Sequence, residues 1–268
     1  MDRPALMHIV AQSLKEQDWA RGLWEGGSAA FGRADAWSDL DAVALVSEGA
    51  KELAFTAVEA ALAQAGELTL RHRVPEPAWH GHAQCFYQLA EAGPYRMIDL
   101  LVMEGEPDAR FLVRERHGEP VVTFDKDDVV HAVPLDWAAQ TDLLRRRVAN
   151  LRTTFPLFLP LVEKELRRGR DVDAMAFYQG LCLRPLVELL RIRHCPERHD
   201  YGLRYLATDL PPEIMDQVRR LAYAADPEAL AERVDHAAAL FERTLRALDA
   251  DGQADAESDD AAERVAQA

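Results

Sequence analysis

The sequence has few cysteines, no long apolar run and no excess of basic residues, and each absence excludes a class of protein. Only three of the 268 residues are cysteines. They stand far apart, so their spacing indicates neither a disulfide framework nor a zinc site. No stretch approaches the roughly 18 apolar residues of a membrane-spanning helix, and a charge interrupts what would be the apolar core of a signal peptide. We therefore expect a cytoplasmic protein with no membrane partner.

The charge balance is acidic and unevenly distributed. Lysine and arginine number 31 against 46 aspartate and glutamate residues, which gives a net charge of −15. The last twenty residues, 249–268, contain seven acids, one base and no aromatic residue, which predicts an acidic, flexible tail. The rest of the chain is also acidic, so nucleic acid is not an expected partner, although a local basic cleft remains compatible with this balance.

The first half of the chain alternates strand and helix patterns, whereas the second half is helical throughout. Strand patterns occur at 39–46, 68–74, 84–90, 95–103, 111–114 and 121–124, and 50–65 has the periodicity of a helix. Beyond them the spacing is helical, with breaks expected at Pro156 and Pro160 and a kink at Pro185. The pattern predicts an α+β fold, with a twisted mixed β-sheet and helices over 1–133, an all-helical bundle over 134–248 and the acidic tail over 249–268.

The most informative segment runs from Gly26 to Asp41. Asp39 and Asp41 flank Leu40 at the start of an apolar strand, so both carboxylates share one face of the sheet while Leu40 points into the core. Like charges this close repel unless a cation lies between them, and carboxylate oxygens are ligands that Mg²⁺ prefers. Upstream, Gly27 and Ser28 predict a tight turn with bare backbone N–H groups, followed by a helix start that attracts phosphate.

This arrangement, Gly27-Ser28, ten residues and then Asp39-Leu40-Asp41, resembles the signature of the DNA polymerase β-like nucleotidyltransferase superfamily. Within this superfamily, the motif is most similar to that of small bacterial members that modify aminoglycosides and lincosamides. The resemblance implies a third acid on a later strand, and Asp99 is the acid within the strand-like run 96–102. It also implies an all-helical domain after the catalytic one. The motif covers about residues 20–105, and the rest of the chain agrees only in layout.

The resemblance implies an enzyme that transfers a nucleoside monophosphate, AMP from ATP, to a hydroxyl group of a small-molecule acceptor, for which an antibiotic is one candidate. Asp39, Asp41 and Asp99 would be the catalytic residues and the ligands of Mg²⁺, and Asp99 could instead be the general base. Gly27 and Ser28 would hold the β- and γ-phosphates. Arg33 would either neutralise phosphate charge or be solvated.

Other interpretations stay open. Asp39 and Asp41 could be a cap and a solvated strand position, but this leaves unexplained why two acids share one face before an apolar strand. The chain could be a nucleotidyltransferase of the antitoxin kind that modifies a partner protein, or a non-catalytic nucleotide-binding module. Arg193 and His199 loosely resemble the Arg–polar–His signature of helical (HEPN) ribonucleases, which act as dimers on RNA, although Pro196 interrupts the helix between them. A homodimer is therefore left open.

Two weaker patterns have ordinary explanations beside functional ones. Arg184, Glu188 and Arg191 fall on one helix face, which predicts either a surface salt-bridge ladder or the wall of a cleft. His80 and His82 have a spacing that a metal ion could use. Because no further ligand is clustered with them, we expect an exposed loop between strands.

Overall fold

The computed structural model describes the backbone of residues 1–266 and the side chains of residues 1–252. The chain divides into two compact units, Met1–Leu135 and Asp136–Ala268. The first contains a six-stranded mixed sheet with helices, and the second is helical over its described residues, so the predicted α+β class is confirmed. No helix within the described part of the chain is long and apolar enough to cross a membrane. The roles assigned to 1–133 and 134–248 stay predictions.

The first unit is built on its sheet, whose strands are β1 (Ala20–Glu25), β2 (Leu40–Val46), β3 (Leu68–Arg73), β4 (Ala83–Leu89), β5 (Ile98–Glu104) and β6 (Val121–Asp125). Their order across the sheet is β3-β4-β5-β2-β1-β6. β2 and β5 are parallel, and the other neighbouring pairs are antiparallel. β2 is thus an interior strand, which explains its continuous apolar run from Ala42 to Val46.

The two faces of this sheet are covered by different parts of the chain. The helices of the unit are α1 (Arg3–Lys15), α2 (Gly27–Ala30), α3 (Lys51–Ala65) and α4 (Arg114–His117). Helices α1 and α3 share a hydrophobic core with the even-numbered side chains of β2 and β5, such as Leu40 and Leu100. On the opposite face, Leu45 and Leu101 pack with Leu112 from the segment after β5. Because side chains alternate along a strand, the odd-numbered positions of β2 and β5 lie on this second face.

One of the predicted strands is wrong. Residues 111–114 form the end of a 3₁₀ turn, Ala109–Phe111, and the start of α4. The Asp108 side chain begins that turn by accepting a hydrogen bond from the Arg110 backbone N–H at 2.9 Å. Leu112 is buried against the sheet, and its neighbour Val113 forms an isolated parallel β-bridge with Val133 rather than a strand.

The second unit consists of helices α5 (Trp137–Phe158), α6 (Pro160–Arg167), α7 (Asp171–Phe177), α8 (Arg184–His194), α9 (Leu206–Asp209), α10 (Pro212–Ala222) and α11 (Pro227–Ala266). Helix α5 continues through Pro156, so the predicted break occurs at Pro160 alone. A π-helical stretch, Tyr178–Leu183, joins α7 to α8 just before Pro185. Pro185 has no backbone N–H and cannot complete the α-helical hydrogen-bond pattern, and the wider π-helical turn accommodates this missing bond.

The sequence predicts an exposed position for Arg191, and the structure shows that this prediction is wrong. Its side chain is fully buried and forms an ion pair with Asp209 at 2.8 Å. It also donates hydrogen bonds to the backbone carbonyls of Gly202, at 2.9 Å, and Arg204. A buried guanidinium with this many partners fixes the loop 195–205 against α8 and cannot form the wall of an open cleft.

The acidic stretch 249–268 continues α11 as far as Ala266. Among its described side chains, Asp249 pairs with Arg152 at 2.6 Å and Asp251 with Arg193 at 3.3 Å. The side chains from residue 253 onward lie outside the described residues, so the flexible tail stays a prediction.

Candidate active site

The acids singled out in the sequence converge on one face of the sheet. Asp41 and Asp99 are directly paired positions on the parallel strands β2 and β5. Neighbouring strands lie about 4.8 Å apart, so these two side chains leave the sheet next to each other. Asp39 immediately precedes β2. Leu40, the first residue of β2, lies between Asp39 and Asp41 in the chain and is fully buried in the core, as predicted. The alternation that buries Leu40 places Asp39 and Asp41 on the same face.

The Asp39 carboxylate is held by the loop that leads into β5. Its Oδ1 atom accepts a hydrogen bond from the Met97 backbone N–H at 2.7 Å. The Leu40 N–H donates to the Met97 carbonyl at 2.9 Å, which ties the two strand starts together. Arg96 in turn donates to the Ala36 carbonyl at 2.8 Å. The position of Asp39 is therefore fixed by backbone contacts, and its second carboxylate oxygen does not take part in them.

The backbone of Gly27 lies directly against the Asp41 carboxylate. Gly27 has a φ of +54°, and a Cβ atom at this position would lie 1.7 Å from Asp41 Oδ2. The preceding Gly26 N–H donates to the Asp41 carbonyl at 2.9 Å. Gly27 and Ser28 begin α2, as the sequence predicts, but this helix is a single turn of four residues. The Gly-Ser turn thus packs on the second acid of the motif, and only glycine allows this approach.

Negative charge accumulates around Asp41. Burial raises the pKa of Asp41, and the charges of Asp39 and Glu25 raise it further, whereas Arg3 acts in the opposite direction. Arg3 is itself hydrogen-bonded to Glu25. Carboxylates whose pKa is raised by burial and by each other are stabilised by either a proton or a cation.

Asp99 is supported by a chain of hydrogen bonds that the sequence did not predict. Gln84 Nε2 donates to Asp99 Oδ1 at 2.7 Å, and Gln84 Oε1 lies 3.1 Å from His80 Nε2. The His82 backbone N–H donates to His80 Nδ1 at 3.1 Å. Because an amide oxygen only accepts, His80 carries its proton on Nε2. His80 is only 5% exposed, so the exposed loop predicted there is wrong.

Burial raises the pKa of Asp99 to about 6 from an ordinary 3.8. The hydrogen bond from Gln84 lowers it, and the charges of Asp41 and Asp39 raise it. Between these values the folded protein holds a proton that the unfolded chain has released, so stability falls as pH rises from about 4 to about 6. Asp99 therefore destabilises the metal-free protein at neutral pH.

We expect Asp99→Asn to increase the free energy of unfolding at pH 7.5 by about 1–2 kcal/mol, because asparagine carries no charge and still accepts from Gln84. Urea unfolding in EDTA at pH 4.5 and 7.5 measures this. Asp108→Asn is the contrasting control. Hydrogen bonds from Arg110 hold the pKa of Asp108 well below its usual range, so this variant should be less stable at pH 7.5. Equal changes of the same sign in both variants would contradict the assignment.

The residues fit a magnesium ion in their donor chemistry. No group of three or more His, Cys, Asp or Glu side chains among the described residues is arranged to hold a metal ion alone. Mg²⁺ in nucleotide enzymes usually takes one or two carboxylates and completes its shell with water and substrate phosphates. Asp39 and Asp99 each use one carboxylate oxygen in a hydrogen bond, and the pKa of Asp41 is raised. The three-ligand set stays a prediction.

The chain is only weakly similar to proteins of known structure. No protein-family model matches it, and no curated protein is a detectable relative. Over 90% of this chain and 88% of the other, it is similar to an aminoglycoside 6-adenyltransferase from Bacillus subtilis, with 11% identity and a TM-score of 0.35. Over 91% and 74%, it is similar to a nucleotidyltransferase-like protein from Exiguobacterium sibiricum 255-15, with 12% identity and a TM-score of 0.33. Function is therefore inferred from the residues of the site.

Arg33 lies in the loop after α2. Its backbone N–H donates to the Ser28 carbonyl at 2.9 Å, and its guanidinium lies 5.1 Å from the ring centre of Phe31. Both contacts are local, within the segment that joins the Gly-Ser turn to Asp39. Its contact with phosphate stays a prediction.

Arg193 and His199 do not share a helix. Helix α8 ends at His194, and a 3₁₀ turn at Pro196–Arg198 separates it from His199. His199 is 6% exposed, and its Nδ1 atom lies 3.3 Å from the Gln140 amide nitrogen. This arrangement differs from the Arg–polar–His pair on one helix, so the structure gives no support to an RNA-cleaving site at these residues.

Proposed function

We propose that this chain is a magnesium-dependent nucleotidyltransferase of the cytoplasm that moves AMP from ATP to a hydroxyl group of a small molecule. The observation that carries the proposal is the pairing of Asp41 with Asp99 on parallel strands, beside Asp39 and against the backbone of Gly27. The raised pKa values of Asp41 and Asp99 indicate that the protein does not neutralise this charge by itself.

Asp39 and Asp41 would hold the magnesium ion through their carboxylate oxygens. When bound, the ion neutralises triphosphate charge and stabilises the charge that develops on the leaving group. Ser28 and the backbone N–H groups at the start of α2 are hydrogen-bond donors in the turn that packs on Asp41, and no side chain caps that turn. In this proposal they bind the β- and γ-phosphates.

In the transfer step, the acceptor hydroxyl oxygen forms a bond to the α-phosphorus while the bond to the bridging oxygen breaks and pyrophosphate leaves. The hydroxyl proton goes to Asp99. A carboxylate with a pKa of about 6 is suited to this task near neutral pH, and Gln84 fixes its orientation. A direct role of Asp99 as a further metal ligand is the alternative, and the two roles differ in how much nucleotide binding Asp99→Asn retains.

For the acceptor, we propose a cationic small molecule such as an aminoglycoside. The net charge of −15 attracts cations, and the carboxylate face adds local negative charge.

The proposal predicts that magnesium is needed for tight ATP binding. We expect saturating ATP with Mg²⁺ to raise the melting temperature by about 5 °C or more, and ATP with EDTA to raise it much less. Thermal-shift assays measure both. Asp41→Asn should lose the magnesium-dependent part, whereas Asp18→Asn, which removes an exposed acid of the same unit, should retain it. Equal shifts with and without magnesium would count against the proposal.

A further inference from the structure

A groove between α10 and α11 in the helical unit has a basic lining, which is unusual in so acidic a chain. Its cavity volume is about 370 Å³. Among the described residues that line it none is acidic, and four of its side chains are Arg220, Arg233, His236 and Arg243. Leu221 and Leu240 supply an apolar floor.

The arginines of this groove are poorly neutralised. Arg243 donates to the Gln217 amide oxygen at 3.3 Å. Arg233 donates to the Tyr223 carbonyl at 3.3 Å and lies 3.8 Å from a carboxylate oxygen of Glu232. Within the described part of the chain, Arg220 makes no ion pair. Its neighbour Arg219, which does not line the groove, pairs with Asp216 at 2.5 Å.

Three guanidinium groups around one cavity repel one another unless an anion lies between them. Both helices carry acids, and yet none of those with described side chains lines the groove. A guanidinium binds phosphate through two parallel N–H···O bonds, so several of them suit a multiply charged phosphate group. The apolar floor and a volume at the lower end of the range for ligand pockets suit a small organic body.

We propose that this groove binds a small molecule that carries a diphosphate or another multiply charged phosphate group. Arg220, Arg233 and Arg243 bind the phosphate oxygens, and Leu221 and Leu240 contact the rest of the molecule. All of these residues belong to the unit Asp136–Ala268. The proposal is therefore independent of the transfer reaction assigned to the carboxylates of the other unit.

The test is isothermal titration of the full chain with inorganic pyrophosphate in the presence of EDTA, which removes metal-dependent binding at the carboxylates. We expect the double variant Arg220→Gln/Arg243→Gln to bind pyrophosphate at least about tenfold more weakly than the unmodified protein. Arg246→Gln is the matched control, because Arg246 is an exposed arginine of α11 that does not line the groove. It should bind as the unmodified protein does.

The outcomes separate this site from its alternatives. Absence of pyrophosphate binding by the unmodified protein, or equal binding by the double variant and the Arg246→Gln control, would overturn the proposal. Succinate titrated under the same conditions should bind much more weakly than pyrophosphate. Equal affinities would show that the groove binds anions without selectivity for phosphate, which would also overturn the proposal. Circular dichroism verifies that the double variant is folded. A result in either direction leaves the proposed nucleotidyl transfer untouched.

Discussion

Asp41→Asn is expected to lower the rate of nucleotidyl transfer by at least about a thousandfold, equivalent to about 4 kcal/mol in the barrier, while the metal-free protein becomes more stable. Asparagine keeps the shape of the side chain and removes a charged ligand oxygen. Since burial and the charges of Asp39 and Glu25 raise the pKa of Asp41, the ionised carboxylate costs folding energy that asparagine does not. Asp39→Asn should lower transfer to a similar extent.

The two readouts, activity and stability, exclude simple unfolding as the cause. Transfer is measured as labelled AMP moved to the acceptor, and stability as the free energy of unfolding in urea with EDTA. Asp18→Asn, which removes an exposed charge outside the motif, should change neither. Full transfer activity in Asp41→Asn would contradict the assignment of the site, whatever happened to its stability.

Gly27→Ala is expected to impair both folding and transfer. A φ of +54° costs a residue with a Cβ atom about 1–2 kcal/mol, and that atom would lie 1.7 Å from Asp41 Oδ2. The Asp41 carboxylate must therefore move. A displacement of about 1 Å at a catalytic group typically costs about a hundredfold in rate, and we expect at least that loss of transfer.

Gly26→Ala provides the matched control for this effect. Gly26 has a φ of −103°, and a Cβ atom there would meet no atom within 4 Å. We expect its melting temperature and transfer rate to remain close to those of the unmodified chain. If Gly26→Ala and Gly27→Ala lost activity equally, the close contact between the Gly-Ser turn and Asp41 would not be the cause.

The sequence was informative where local spacing alone determines geometry. Alternation along a strand placed Asp39 and Asp41 on one face and Leu40 in the core, and the structure has this arrangement. The continuous apolar run after Asp41 belongs to a strand in the interior of the sheet, where both faces are covered. The turn at Gly27 followed from glycine's freedom at positive φ, although the contact with the Asp41 carboxylate could not be foreseen.

Features that depend on which distant segments meet could not be predicted. The register that pairs Asp99 with Asp41 joins strands far apart in the chain, and only a family resemblance suggested it. The spacing around His80 predicts an exposed loop, because it does not reveal that Gln84 bonds to His80. Gln84 lies on the strand face that carries Asp99. The signal for Gln84 is its alternation with the buried Ala83 and Cys85, which places this polar side chain on the acid-bearing face.

The most direct test of the central claim is a comparison of ATP labelled at the α-phosphorus with ATP labelled at the γ-phosphorus, each incubated with the full chain, Mg²⁺ and a panel of aminoglycoside and other hydroxyl-bearing acceptors. Nucleotidyl transfer predicts that the α label becomes attached to one acceptor while the γ label is released as pyrophosphate, and that EDTA abolishes both. Attachment of the γ label to the acceptor, or transfer that persists in EDTA, would contradict the account.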